Sequence, residues 1–334
     1  MPPAEDGGME ITMKKLISTI IITVALATIS TCNIFAGQYD INSNKAEGAD
    51  KISSTEAKEA EADIVSMYYT TQPVEDAQFV ALAAKDAMSS SKVTYTNAPQ
   101  LSRFVQLGYW LHYGYFTNNV KGSISVSKAV LKSNNTNRDV YVVSLSGTDL
   151  ANALYNQSTG IFTDLLCGFQ IDNTYARNVK KVILDNIPSG ANIVFIGHSL
   201  GGMVAQQCSA DSKIKSKYNV INTLAFGSPI IGTSTFGLYD YREGSVSRLG
   251  DTRDLVPYLS SNTLNFSFAA QIFGLKRENG GYSAYQIISS HCYSYQREEV
   301  WGKYDVLGNK NGNATITMDF STTKWFESPF ILCQ

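Results

Sequence analysis

The sequence predicts an α/β fold: one domain built on a mostly parallel sheet with helices on both faces. Three observations point there. Short, continuous apolar runs recur at Val140–Leu145, Ile193–Ile196 and Val220–Phe226, as strands buried on both faces should read. Segments of helical periodicity lie between or beside them, at Asp172–Asn186 and Leu200–Ala210. The two kinds of segment alternate along the chain, which is the pattern of a parallel sheet wrapped by helices. A length of 334 residues, 44% hydrophobic and 17% charged, suits one large domain better than several small ones.

The elements follow in order. Residues 1–37 read as an N-terminal extension and export signal. Lys14 and Lys15 precede the apolar run Leu16–Ser30, and no charge returns until Asp40. Met13 fits the start of that signal better than Met1. The pattern favours cleavage, with Ala36 one candidate site. Lipid attachment at Cys32 and retention as a membrane anchor are the alternatives, and the apolar core is short for a span. This leader predicts a secreted or cell-envelope protein.

Residues 38–62 are rich in Ser, Lys, Glu, Ala and Asp and predict a polar tether. Residues 63–334 form the expected domain. Pro73–Met88 and the aromatic-rich Pro99–Phe116 read as helices. Ser123–Leu131 alternates as a strand, Asn134-Asn135-Thr136-Asn137 is a turn signal, and Val140–Leu145 is the next strand. In the helix Asp172–Asn186, Asp172 suits a cap, Tyr175, Val179, Val182 and Ile183 share a face, and Pro188-Ser189-Gly190 stops it. Gly227-Ser228-Pro229 ends the strand Val220–Phe226.

Composition excludes some partners. Lys and Arg number 27 against 29 Asp and Glu, a formal charge of −2, so there is no nucleic-acid footprint. Beyond Cys32 stand Cys167, Cys208, Cys292 and Cys333, which permit two disulfides in an exported protein without fixing the pairing. Their spacing matches no metal site. Cys208 falls on a helix read as buried, where a thiol packs as a small hydrophobe.

The chemistry concentrates at Ile193-Val194-Phe195-Ile196-Gly197-His198-Ser199-Leu200-Gly201-Gly202. Gly-x-Ser-x-Gly between a buried strand and a helix is a nucleophile elbow, the mark of the α/β-hydrolase fold. Gly197 and Gly201 leave room where the chain doubles back, and the helix N-terminus offers N–H groups to developing negative charge. A serine hydroxyl needs a base. The chain has three histidines. His112 precedes the sheet, and His198 abuts the nucleophile, where a supporting role for the elbow is expected. His291 alone follows Ser199, and in this fold the order is Ser, acid, His. The acid should lie between them. Asp211 comes too soon, Asp240 sits in a Tyr-rich loop, and spacing does not separate Asp251 from Asp254.

The chain resembles the class 3 lipases. Gly197-His198-Ser199-Leu200-Gly201-Gly202 matches that family's elbow, and Phe226-Gly227-Ser228-Pro229 with Gly232 its next strand end. Asp254-Leu255-Val256-Pro257 is similar to the family's Asp-x-Val-Pro, which implies Asp254 as the acid. Ser146-Gly147-Thr148 resembles its Arg-Gly-Ser/Thr, which implies an oxyanion hole from Thr148 and the Leu200 N–H. The resemblance covers roughly Ser123 to Trp301. It departs in three places. Ser146 replaces the usual Arg. The lid-bearing segment is short, and Leu150–Phe169 is either a small flap or a loop packed on the core. The run from His291 to Trp301 is longer than the family's usual spacing.

The resemblance implies a secreted or envelope-associated hydrolase of carboxylic esters, a lipase or carboxylesterase, working through Ser199, Asp254 and His291 with no metal or organic cofactor. Phospholipase A1 or feruloyl-type esterase activity is the alternative. A non-catalytic lipid-binding protein keeping the fold is the rival from another class. Expected partners are an ester or lipid substrate, a lipid interface, and a membrane reached through the N-terminal segment.

Overall fold

A strand paired on both sides and covered on both faces has no polar surface to present, and β5 (Asn192–His198) shows it: every side chain from Ile193 to His198 is buried. β5 runs parallel to β4 (Thr136–Leu145) on one side and β6 (Asn219–Phe226) on the other. β7 (Val246–Asp251) and β8 (Leu275–Glu278) extend the parallel half. On the far side of β4 lie β3 (Ile124–Ser133) and then β9 (Thr315–Phe326), both antiparallel to their neighbours. Two short strands, β1 (Gly48–Ala49) and β2 (Lys92–Tyr95), pair with β9. The strand order is β1-β9-β3-β4-β5-β6-β7-β8, with β2 also on β9. This mixed, mostly parallel sheet with its helices is an α/β-hydrolase fold.

The computed structural model describes residues 48–49, 92–112, 123–147, 174–229, 231, 246–254, 256–258, 275–282 and 287–326. The chain divides into two units, and every described residue lies in the one formed by Lys45–Thr148 and Gly168–Gln334. The expected leader, the helix over Pro73–Met88, the segment Leu150–Phe169, Thr148, Gly232, Cys32, Cys167 and Cys333 lie outside the described residues. Gly48–Ala49 fall inside the segment expected as a tether, and they pair with Phe326 and Trp325.

The turn signal after β3 is a two-residue hairpin. Asn134 and Asn135 have φ of 50° and 59°, and Ser133 pairs with Thr136. Two left-handed residues give the turn the same twist as the strands, and Asn tolerates that conformation. α1 (Ala98–His112) places Leu101, Phe104, Val105 and Leu107 in the core shared with Val194, Ile196, Leu224 and Phe226. Ile193 and Phe195 alternate to the other face of β5. α3 (Leu200–Ala210) packs on β5 and β6, and α2 (Thr174–Asn186) packs on α3. Tyr175, Val179, Val182 and Ile183 of α2 are buried together, as their spacing predicts.

β2, β7, β8 and β9 carry no long apolar run. β7 reads Val-Ser-Arg-Leu-Gly-Asp and buries Arg248 fully. The Arg248 guanidinium donates to the carbonyls of Ser228, at 2.9 Å, and Pro257, at 2.5 Å, tying the chain after β6 to the chain after β7. Among the described residues no helix is long and apolar enough to cross a membrane.

Candidate active site

The elbow forms where β5 meets α3. Ser199 sits at φ 54°, ψ −124°, a strained conformation for a residue with a side chain. Neighbours hold it there. Its N–H donates to the Phe226 carbonyl at 2.9 Å, and its carbonyl accepts from Met203 N–H at 3.1 Å. Only glycine fits on either side. A Cβ on Gly197 would lie 2.5 Å from the Gly201 carbonyl oxygen, and one on Gly201 would lie 2.5 Å from that of Ser146. Leu200 opens α3, so its N–H has no helical acceptor and is available to an oxyanion.

His291 lies near the end of α5 (Ile287–Cys292) and is 1% exposed. Its Nδ1 is 2.8 Å from Asp254 Oδ2. The carboxylate accepts, so Nδ1 carries the proton and Nε2 presents a bare lone pair. Among the described residues, neither His291 Nε2 nor Ser199 Oγ has a hydrogen-bond partner, and both atoms are buried. A buried donor and a buried acceptor left unmade call for a ligand or a movement that satisfies them. Sites of this kind often tighten only when substrate is bound.

Asp254 is wholly buried and saturated with donors. Oδ1 accepts from Val256 N–H at 2.9 Å, and Oδ2 accepts from the Tyr295 hydroxyl at 2.6 Å besides His291. Burial first, then the Asp254 charge, pushes the Tyr295 phenol well above its ordinary range, so it remains a donor. Tyr295 also accepts from Asp251 N–H at 3.0 Å. No sequence pattern marks Tyr295: it is one of 19 tyrosines and is placed by the fold alone. The pair that spacing left open separates cleanly. Asp254 faces His291, while Asp251 accepts from Arg253 N–H at 2.7 Å, Gly280 N–H at 2.7 Å and Ser294 Oγ at 2.5 Å. Asp211 caps the short helix α4 (Ser212–Lys217), accepting from Lys213 N–H and Ile214 N–H.

The unusual run from His291 to Trp301 folds into a 3-10 turn, Ser294–Gln296, and the short helix α6, Glu298–Trp301. Trp301 is buried, with its ring centroid 5.5 Å from that of Tyr295, which supports the phenol that reaches Asp254. Ser146, where an arginine was expected from the resemblance, makes a neutral link instead: its hydroxyl donates to the Val105 carbonyl at 2.8 Å. His198 points its Nε2 at the His291 carbonyl, 2.8 Å away. Burial, with the proximity of His291 second, pulls its pKa down to about 3, so the ring is neutral. Cys208 is buried on α3, its thiol pushed up to about 12 chiefly by burial, as an inert packing residue should be.

Against known families, residues 117–264 match the one described as lipase (class 3). This stretch is a class 3 lipase domain. The match implies a hydrolase of the lipase and esterase kind, acting on ester or lipid substrates. The matched residues include Ser199 and Asp254, and His291 lies beyond them. No curated protein and no solved structure matches the chain.

Proposed function

We propose that the chain hydrolyses carboxylic esters through an acyl-enzyme on Ser199, with His291 as general base and Asp254 as the acid that orients it. The observation that carries this is the His291–Asp254 pair: it fixes the tautomer that leaves Nε2 as acceptor, and both Nε2 and the Ser199 hydroxyl are buried without a partner. His291 Nε2 takes the Ser199 proton as Oγ attacks the ester carbonyl. Asp254, held in place by the Tyr295 hydroxyl, balances the imidazolium. The Leu200 N–H and Thr148 bind the oxyanion, each donor lowering the barrier by about 3 kcal/mol. The alcohol leaves with the proton from His291, and water then repeats the cycle on the acyl-enzyme.

The short segment after Thr148 favours soluble or modest-chain esters, and the N-terminal signal favours export to the envelope or medium. Fluorophosphonate labelling of wild type and Ser199→Ala tests the nucleophile. Label and hydrolysis of p-nitrophenyl esters should both vanish in the variant, and label that persists removes Ser199 from its role. Graded p-nitrophenyl esters, with and without an emulsified interface, test the substrate class: a rate jump at the interface refutes the preference for soluble esters. Fractionation of the producing cells tests export, which recovery of the chain in the cytoplasm alone would refute.

A further inference from the structure

We infer that His198 and Gln106 are positioning residues that clamp the backbone at His291, holding the imidazole in register with Ser199. The inference rests on the reading of His291 as the base. Two consecutive carbonyls end α5, and both are held by side chains. The His291 carbonyl accepts from His198 Nε2 at 2.8 Å. The Cys292 carbonyl accepts from Gln106 Nε2 at 2.5 Å and from Gln296 Nε2 at 3.2 Å. Gln296 is local, four residues on, whereas His198 comes from the elbow and Gln106 from α1.

The end carbonyls of a helix have no acceptor role within it, and α5 has only six residues, too few to hold its own shape. The position of His291 must therefore come from outside the helix. A carbonyl only accepts, so His198 Nε2 carries a proton and its single useful N–H is committed to backbone. That assignment makes it a positioning group, its hydrogen bond spent on backbone. The two imidazoles lie 4.7 Å apart, inclined at 40°, so the His198 ring also backs the His291 ring.

α1 is anchored well enough to act as the second jaw. Arg103 donates to the Gln296 carbonyl at 3.0 Å and pairs with Glu298 at 2.8 Å. On its other side α1 receives the Ser146 hydroxyl at Val105. One helix thus links the end of β4, next to the expected oxyanion residues, to the segment that bears His291. α1 lies outside the matched residues 117–264, as His291 does.

The full chain is compared as wild type, His198→Phe, His198→Gln and Gln106→Leu. The readouts are kcat and KM on p-nitrophenyl butyrate, the downfield proton resonance of His291 Nδ1–H, and circular dichroism. Phe keeps the ring and deletes the donor, and Gln restores a donor. His198→Phe should lower kcat roughly 10- to 100-fold, the scale of an ångström-sized misplacement. KM should change less than about twofold, since ground-state binding is untouched. The resonance should shift or broaden, and His198→Gln should recover most of the loss. Gln106→Leu should lower kcat roughly 3- to 10-fold with the same spectroscopic change. If His198→Phe does not fold, Gln106→Leu and the Gln rescue decide. A folded variant lacking either donor, with wild-type kcat and an unmoved resonance, overturns the clamp. Ser199→Ala separates the failures. If it still turns over, the proposed function falls. If it is inert while the donor variants are fully active, only the clamp falls.

Discussion

Replacing Gly227 by alanine puts a methyl group where the His291–Asp254 contact already fills the space. Gly227 follows β6 at φ +54°, and a Cβ there would lie 2.9 Å from Asp254 Oδ2, 2.9 Å from Tyr295 Cε2 and 3.1 Å from His291 Nδ1. Two costs add. A left-handed backbone costs alanine about 1 to 2 kcal/mol that glycine does not feel. The first two contacts are closer than carbon tolerates, so something must shift, and overpacking of this kind adds about 1 to 3 kcal/mol. Asp254 is held at Oδ1 by the Val256 N–H and at Oδ2 by the Tyr295 hydroxyl, so the imidazole should give way first. Its bond to Oδ2, now 2.8 Å, should lengthen. We expect Gly227→Ala to lose about 2 to 5 kcal/mol of stability, the sum of both terms. A folded fraction should turn over esters roughly 100-fold slower, the cost of an ångström-sized misplacement. Urea denaturation and p-nitrophenyl ester kinetics on the same preparation give both numbers. A variant that folds as stably as wild type and keeps its kcat would refute the assignment of this junction to the chemistry.

Three further outcomes follow from the same contacts. Tyr295→Phe deletes a 2.6 Å donor to Asp254 and leaves the Asp251 N–H unpaired in a buried site. It should cost about 1 to 3 kcal/mol in urea and lower kcat roughly tenfold. Asp251→Asn places an amide against donors now bound to a carboxylate. It should lose about 2 to 4 kcal/mol while the folded fraction keeps kcat within a few-fold, so kcat collapse there would reverse the roles given to Asp251 and Asp254. The third outcome concerns pH. His198 has its pKa lowered to about 3 in the fold, below its ordinary 6.5. Between those values the unfolded chain binds a proton that the folded chain refuses, so stability falls as pH falls, by up to about 1.4 kcal/mol per unit. Above pH 6.5 this group contributes no slope. Urea midpoints of wild type and His198→Gln, measured from pH 7 to pH 4, should diverge in that sense, and parallel curves would contradict it.

The parts legible in the sequence were those with a local signature. Buried strands β4, β5 and β6 announced themselves as apolar runs, because both faces of each are covered. The helices α2 and α3 were readable within two residues of their ends, since periodicity records which face is buried. The Gly-His-Ser-Leu-Gly elbow was readable because its geometry demands glycine at defined offsets from the serine. Strands outside that central trio were not: β9 lies between β3 and the short β1 and β2, but it mixes polar with apolar residues and so lacks a continuous apolar run.

By itself the sequence determined the fold class and the elbow at Ser199, because strand burial and a tight turn impose residue types over a few positions, and by elimination it left His291 as the candidate base. It did not separate Asp251 from Asp254 by spacing. Only the tertiary structure set Asp254 against the imidazole and Asp251 against the loop at Gly280. Only the fold brought Tyr295, Gly227, His198 and Gln106 around that pair. These contacts join residues from α1, the ends of β5, β6 and β7, and the 3-10 turn after His291. Their meeting follows from how the sheet and its helices pack, a relation that no short stretch of chain records.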